Sequence, residues 1–307
     1  MTVPPEPSGA DGAPQQLPGC ARHPDRPTGL RCTRCERPAC PECLREASVG
    51  YQCVDCVNEG RRGAREAVTV AGARLSRKPV VVPALILINV AFFLATAVQA
   101  GSATANHSSA LFADFSLYPL LTAGGQWWRL LSSGFLHIGL IHLAMNMLAL
   151  WVLGRDLEMV LGKLRFGAVY LLSLLGGSTA VFLFGELLRP VAGASGAVYG
   201  LMGGIAIVAL RTKLSLRPVL IVIALNLVVS VTIPGISLLG HVGGLVIGVA
   251  ATAALVYAPR GRRNAVQAGV LIALLLVLVA MLVTRDLQFG ALDCWGSGID
   301  TRCGIRP

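Results

Sequence analysis

The chain has 307 residues, 54% of them hydrophobic and 14% charged. Soluble globular proteins carry about 25% charged residues, so this composition excludes a water-soluble protein over most of the length. The net charge of +10 would suit nucleic acid, but the basic residues flank apolar segments on one side, which points to a membrane and away from a nucleic-acid partner.

Residues 1–19 are rich in Pro and Gly and are predicted to be disordered. They hold no apolar core of a secretory signal. Residues 20–56 are a compact Cys/His segment with the pattern Cys20-x2-His23-x8-Cys32-x2-Cys35-x4-Cys40-x2-Cys43-x9-Cys53-x2-Cys56. Each of its four pairs has the two-residue spacing that brings two side chains to one tetrahedral ion, so eight ligands predict two structural zinc sites. In a reducing compartment a disulfide knot is disfavoured, and removing the metal should unfold the segment. The segment has few aromatics and no basic stripe, which suits a cytosolic protein partner. A basic linker follows over 57–79, with Arg61, Arg62, Arg65, Arg74, Arg77 and Lys78.

Seven apolar segments come next, at 80–98, 135–153, 166–187, 191–210, 218–233, 236–257 and 266–283. Each approaches the roughly 20 residues that cross a bilayer, and the fifth is the shortest. With the N-terminus in the cytoplasm, the inner loops hold Arg155, Lys163, Arg165, Arg211, Lys213, Arg217, Arg260, Arg262 and Arg263. The outer loops hold only Arg129 and Arg189. That bias fixes the orientation. Seven spans then put the C-terminal tail outside, where Cys294 and Cys303 can pair.

The fourth and sixth spans run in the same direction. Ser195 falls about four residues into one and His241 about five into the other, so both are expected roughly 6–8 Å below the outer end. A serine is a weak nucleophile until a base takes its proton, and histidine is the usual base. Gly240, Gly244 and Gly248 on one helix, and Gly196, Gly200, Gly203 and Gly204 on the other, permit the close approach the pair needs. Tyr199, one turn after Ser195, is placed to stack on the imidazole. In the second span His142 and Asn146 are four apart on one face. They and the Ser195 backbone N–H can donate to a tetrahedral oxyanion, in a cavity that His137 also lines. On spacing alone, Ser195 and its glycines serve equally as packing residues, and His142 with Asn146 as a helix–helix hydrogen-bond pair. Metal binding there lacks any His-Glu-x-x-His pattern.

Together these motifs resemble the rhomboid family of intramembrane serine proteases. The resemblance rests on Gly193-Ala194-Ser195-Gly196, His241 with Gly244 and Gly248, His142 with Asn146, Trp128-Arg129, and Gly154-Arg155-Asp156-Leu157-Glu158. They fall in the family order across residues 80–257. It implies an all-α polytopic membrane protein with a six-helix catalytic core, here followed by a seventh span and tail over 258–307. It implies Ser195 as nucleophile and His241 as base without an aspartate, and His142, Asn146 and the Ser195 amide as the oxyanion hole. It implies no catalytic cofactor, a structural outer loop around Trp128 and Arg129, and substrates that are transmembrane helices cut near their outer end. The expected location is a bacterial plasma membrane, N-terminus cytoplasmic. A catalytically inactive relative that binds or escorts transmembrane clients remains the alternative; the intact Ser195 and His241 stand against it. A transporter would show paired intramembrane charges or interrupted helices in two similar halves. The Cys/His segment resembles a B-box zinc finger. That likeness implies interleaved pairing, with Cys20, His23, Cys40 and Cys43 on one ion and Cys32, Cys35, Cys53 and Cys56 on the other; sequential pairing stays open.

Overall fold

The computed structural model describes residues 16–63, 67–75, 78–290, 292–295 and 302–305. Disorder is expected over residues 1–19. Residues 1–15, like the linker arginines Arg65 and Arg77, lie outside the described residues, but the Pro18 carbonyl accepts the Thr28 N–H at 2.9 Å and Gly19 bridges to Pro27, so the ordered segment starts before Cys20. The chain divides into two compact units, Met1–Glu66 and Ala67–Pro307.

The small unit is built on its cysteines. A helical turn at Pro41–Cys43 leads into strand β1 (Leu44–Glu46), which pairs antiparallel with β2 (Tyr51–Cys53), Leu44 opposite Cys53. Helix α1 (Val54–Gly63) follows. Cys20, Cys32, Cys40, Cys43, Cys53 and Cys56 are buried and, with Ala39 and Leu44, make up the core. So small an apolar core cannot hold a domain by itself, which is the usual situation of metal-stapled folds.

The large unit is helical. Helix α2 spans Val81–Ala100 and ends on Gly101, whose φ of 66° is left-handed. Three short helices form the next loop: α3 (Ala110–Phe115), α4 (Pro119–Ala123) and α5 (Arg129–Ser132). Helix α6 (Gly139–Ala149) passes through a wide π turn at Leu150–Gly154 into α7 (Arg155–Leu161). Then come α8 (Lys163–Phe184), α9 (Ser195–Thr212), α10 (Arg217–Thr232), α11 (Leu238–Tyr257) and α12 (Arg263–Phe289). Among the described residues, six helical stretches are long and apolar enough to cross a membrane: 81–100, 139–161, 163–184, 195–212, 238–257 and 260–289. Helix α10 falls short: its 16 residues rise about 24 Å against a hydrocarbon core of about 30 Å. Pro218 opens it and Pro234-Gly235 follows it, so proline fixes its length at both ends.

The chain is an integral membrane protein. Helix α8 is the most enclosed of its spans, and it packs against α9 and α11. Burying most of its surface is possible because glycines face glycines. A Cβ on Gly177 would lie 2.6 Å from the Gly240 carbonyl oxygen, and one on Gly243 would lie 2.5 Å from that of Gly176. At the opposite edge of α8, Arg165 donates to Gln267 (2.7 Å) and Asn264 (3.1 Å) on α12. Gln267, itself buried, donates to the carbonyls of Ala71 and Leu255. The buried Glu158 carboxylate accepts the N–H groups of Val80, Val81 and Val82 at 2.7–2.9 Å. Pro83 has no N–H, so these three are all the donors that the first turn of α2 leaves unpaired. The tail returns as a hairpin, β3 (Leu292–Trp295) against β4 (Arg302–Ile305), closed by a Cys294–Cys303 disulfide.

Candidate active site

Ser195 is the first residue of α9, not the fifth of a longer helix as the apolar run suggested. Val191 to Ala194 are not helical: Pro190 precedes them, and Gly193 has a φ of 133° that side chains rarely adopt. The hydrophobic run and the helix therefore begin at different places, and counting residues along the run misplaces Ser195 by one turn. One consequence is chemical. As a first-turn residue, Ser195 has a backbone N–H with no intrahelical acceptor.

The segment before it is held from two sides. Leu117 and Val191 exchange both backbone hydrogen bonds at 2.9 Å, and the Gly193 N–H donates to the Ser133 carbonyl at 2.9 Å. Both partners belong to the loop between α2 and α6. That loop is organised by Arg129, 1% exposed, whose guanidinium donates to Gln126 Oε1 and to the carbonyls of Ala113 and Ser116 at 2.6–2.7 Å. Trp128, half exposed, donates through its indole to the Asp114 carbonyl. Trp128 and Arg129 are thus a brace for the loop.

His241 is the fourth residue of α11, whose cap Ser237 accepts the Gly240 N–H. His241 Nε2 and Ser195 Oγ are 2.8 Å apart. The helix backbones meet there because a Cβ on Gly244 would collide with Gly196, and one on Gly248 with Gly200. Tyr199 stacks on the His241 ring, centroids 4.1 Å apart and planes 13° from parallel. These positions were all legible in the sequence. Ser230, on α10, was not. Its hydroxyl lies 2.7 Å from His241 Nδ1 and 2.9 Å from the Tyr199 hydroxyl, and donates to the Asn226 carbonyl at 2.7 Å. Nothing in a serine among valines marks it, apart from being one of few polar residues in that apolar run.

The half-buried His142 faces Gly193. A methyl group at Gly193 would sit 2.9 Å from His142 Nε2 and 3.7 Å from Ser195 Oγ, too close to the ring for a side chain, so glycine lets the imidazole approach the backbone beside Ser195. The Ile138 N–H approaches His142 Nδ1 at 3.3 Å, which leaves the ring proton on Nε2, the nitrogen nearer Gly193. The Asn146 amide donates to the His142 carbonyl at 2.9 Å, back along its own helix. Its second amide hydrogen is the one left for any other acceptor. His137 is fully buried, its ring 5.1 Å from that of His142 and neither nitrogen hydrogen-bonded. It backs His142 and does not line an open cavity.

In the small unit the eight metal-type residues form two groups, Cys20, His23, Cys40, Cys43 and Cys32, Cys35, Cys53, Cys56, each with its ligand atoms within 4.8 Å of one another. The pairing is interleaved, as the B-box likeness implies. His23 Nδ1 lies 3.4 Å from Cys40 Sγ and 3.3 Å from Cys43 Sγ, and Cys35 and Cys53 sulfurs are 3.7 Å apart. A tetrahedral ion with Zn–S of about 2.3 Å spaces its sulfurs about 3.8 Å apart, so the donor set fits. The Cys20 thiol is pulled down to about 6, first by the Cys40 backbone N–H, whereas burial and then its thiol neighbours push Cys43 up to about 11. A divalent cation lets both ionise together.

Residues 124–258 match the family model of the rhomboid domain. The chain is 37% identical over 192 residues to Rhomboid protease GluP of Bacillus subtilis (strain 168), covering 61% of this chain and 37% of that one. It is 38% identical over 133 residues to RHOMBOID-like protein 4 of Arabidopsis thaliana, 41% of this chain and 33% of that one. It is 48% identical over 77 residues to Rhomboid-related protein 2 of Mus musculus, 25% of each. The matched part thus spans between a quarter and two-fifths of these relatives.

Proposed function

Because residues 124–258 match the rhomboid-domain model, we propose that this membrane protein is an intramembrane serine endopeptidase with Ser195 as nucleophile and His241 as general base. The observation that carries the reading is the 2.8 Å approach of His241 Nε2 to Ser195 Oγ across two helices. His241 removes the hydroxyl proton as Oγ attacks the scissile carbonyl carbon. The oxygen that becomes negative turns toward the side of Ser195 that His142 faces. There the Ser195 N–H and the His142 Nε2–H are the donors, with Asn146 supplying a third through its free amide hydrogen. The imidazolium then gives its proton to the leaving amine. Water, deprotonated by the same nitrogen, releases the acyl group.

The substrate class is a transmembrane segment of another protein, cut near the outer face. Its helix must open locally, since helical carbonyls are already hydrogen-bonded and a nucleophile needs one exposed. The orientation follows the basic inner loops: N-terminus in the cytoplasm, tail outside. The two Cys/His groups take zinc, which supplies folding energy to the small unit and no step of the reaction. The small unit is a docking module for a cytosolic protein.

The test is labelling of the purified full chain with a fluorophosphonate probe. Labelling is expected in the parent, absent in Ser195→Ala, and lowered by about a hundredfold or more in His241→Ala, the scale of a lost general base. Unchanged labelling of Ser195→Ala sinks the assignment.

A further inference from the structure

Resting on the Ser195–His241 reading, we propose that Ser230 is the residue that positions the base. It holds His241 in the tautomer with hydrogen on Nδ1, so that the bare Nε2 faces Ser195.

The argument is a count of hydrogens. A serine hydroxyl has one hydrogen to donate and two lone pairs to accept with. Ser230 Oγ has three polar neighbours: the Asn226 carbonyl at 2.7 Å, His241 Nδ1 at 2.7 Å and the Tyr199 hydroxyl at 2.9 Å. The carbonyl can only accept, so the Ser230 hydrogen goes there. The other two neighbours must then donate, which puts a hydrogen on Nδ1. A neutral imidazole carries one hydrogen, so Nε2 has a free lone pair, 2.8 Å from Ser195 Oγ. This assignment satisfies every group.

The other tautomer satisfies fewer. It turns an Nε2–H toward Ser195, and Nδ1 then needs the Ser230 hydrogen. The Ser230 and Asn226 oxygens are left at 2.7 Å with no hydrogen between them. Ser230 is 5% and His241 7% exposed, so water is a poor substitute for either bond. The ring is therefore fixed in two ways: Tyr199 sets its plane by stacking, and Ser230 sets its rotation within that plane. As His241 takes the Ser195 proton, the Nδ1–H bond to Ser230 becomes charge-assisted and strengthens. No proton passes through Ser230; the one from Ser195 goes to Nε2 and on to the leaving amine.

The experiment uses the full chain in detergent, with Ser230→Ala, Ser230→Thr, Ser230→Cys and Ser195→Ala beside the parent. Two quantities are read: the fluorophosphonate labelling rate, and the tautomer of His241 from its ring nitrogen-15 shifts. Ser230→Ala is expected to label about ten to a hundred times more slowly, the scale of losing a partner that orients an imidazole. Its His241 signal should move from Nδ1–H toward Nε2–H. Ser230→Thr, which keeps the hydroxyl, should recover most of the rate. If Ser230→Ala fails to fold, Ser230→Cys, of similar size and a poor acceptor, takes its place with the same expectation. Parent-like rate and an unchanged Nδ1–H signal in the Ala or Cys variant overturn the proposal, as does a Thr variant no faster than Ala. Those results leave the dyad intact. Labelling that survives Ser195→Ala brings down the dyad reading itself, a separate outcome.

Discussion

Gly244 shows how little room one residue has in this fold. A methyl group there would press into the backbone of Gly196, one residue past Ser195. Replacement by Ala forces α9 and α11 apart at the level of the Ser195–His241 contact, and overpacking of this kind costs about 1–3 kcal/mol. Gly244→Ala should therefore lower the unfolding midpoint in detergent and slow probe labelling together. Gly167→Ala is the control: its Cβ meets nothing within 4 Å, in the interior of α8. There the change should be neutral or stabilising by up to about 1 kcal/mol, from helix propensity alone. A Gly244→Ala protein with parent stability and labelling would show that the two helices have slack. Gly193 is constrained differently, by its φ of 133° and by the His142 ring. Here Ala costs strain and displaces the His142 ring, the proposed oxyanion donor, so labelling should fall even where stability holds.

At the scale of the element, Glu158 and the cysteines carry the clearest consequences. Three N–H groups at the start of α2 converge on the Glu158 carboxylate. Glu158→Ala leaves them without acceptors in a buried place and should cost about 2 kcal/mol or more, seen in denaturant unfolding. Glu158→Gln keeps one acceptor oxygen and should cost less; equal stability of parent and Glu158→Ala would mean that water takes over the cap. In the small unit, metal analysis should find about two zinc per chain, falling to about one in either Cys40→Ser or Cys53→Ser, since each removes a ligand from a different group. A chelator should unfold this unit, read by the loss of its circular dichroism.

The same elements show what a sequence displays and what it hides. Ligand spacing is local, so the eight zinc-type residues are plain in the sequence, whereas their interleaving brings together pairs far apart in the chain, Cys20 and His23 with Cys40 and Cys43, and is implied only by a family likeness. Each of the seven apolar runs is a helix, and six of them reach the length that lipid demands, about 20 apolar residues; α10 does not. They did not give helix starts: Val191 and Ala194 are apolar enough for a span, yet Gly193 holds them out of the helix. Ser195, His241, Tyr199 and His142 were legible because a polar group among apolar ones demands a partner. Ser230 obeys the same rule but is hidden in the sequence, since serines commonly bond to the carbonyl four residues back. Ser230 does so to Asn226 and binds His241 as well.

Across the whole molecule, the chain places two kinds of cysteine chemistry at its two ends, thiols grouped for a metal in one and a disulfide in the other. These need reducing and oxidising surroundings respectively. In sealed vesicles of known orientation, a membrane-impermeant thiol reagent applied from the outer side after reduction should label Cys294 and Cys303. Labelling of Cys20 or Cys43 from that side instead would reverse the proposed orientation.

Helix α10 remains, with Ser230 as its one buried residue. Val219, Ile223, Asn226 and Leu227 are half-buried along the same stripe, and the remaining positions are exposed. Mutational tolerance should follow that map. In a library randomising α10 among apolar residues, Ser and Thr, the exposed positions should drift freely while position 230 returns Ser or Thr. The helix would then read, to anyone comparing survivors, as a nearly blank stretch carrying a single letter.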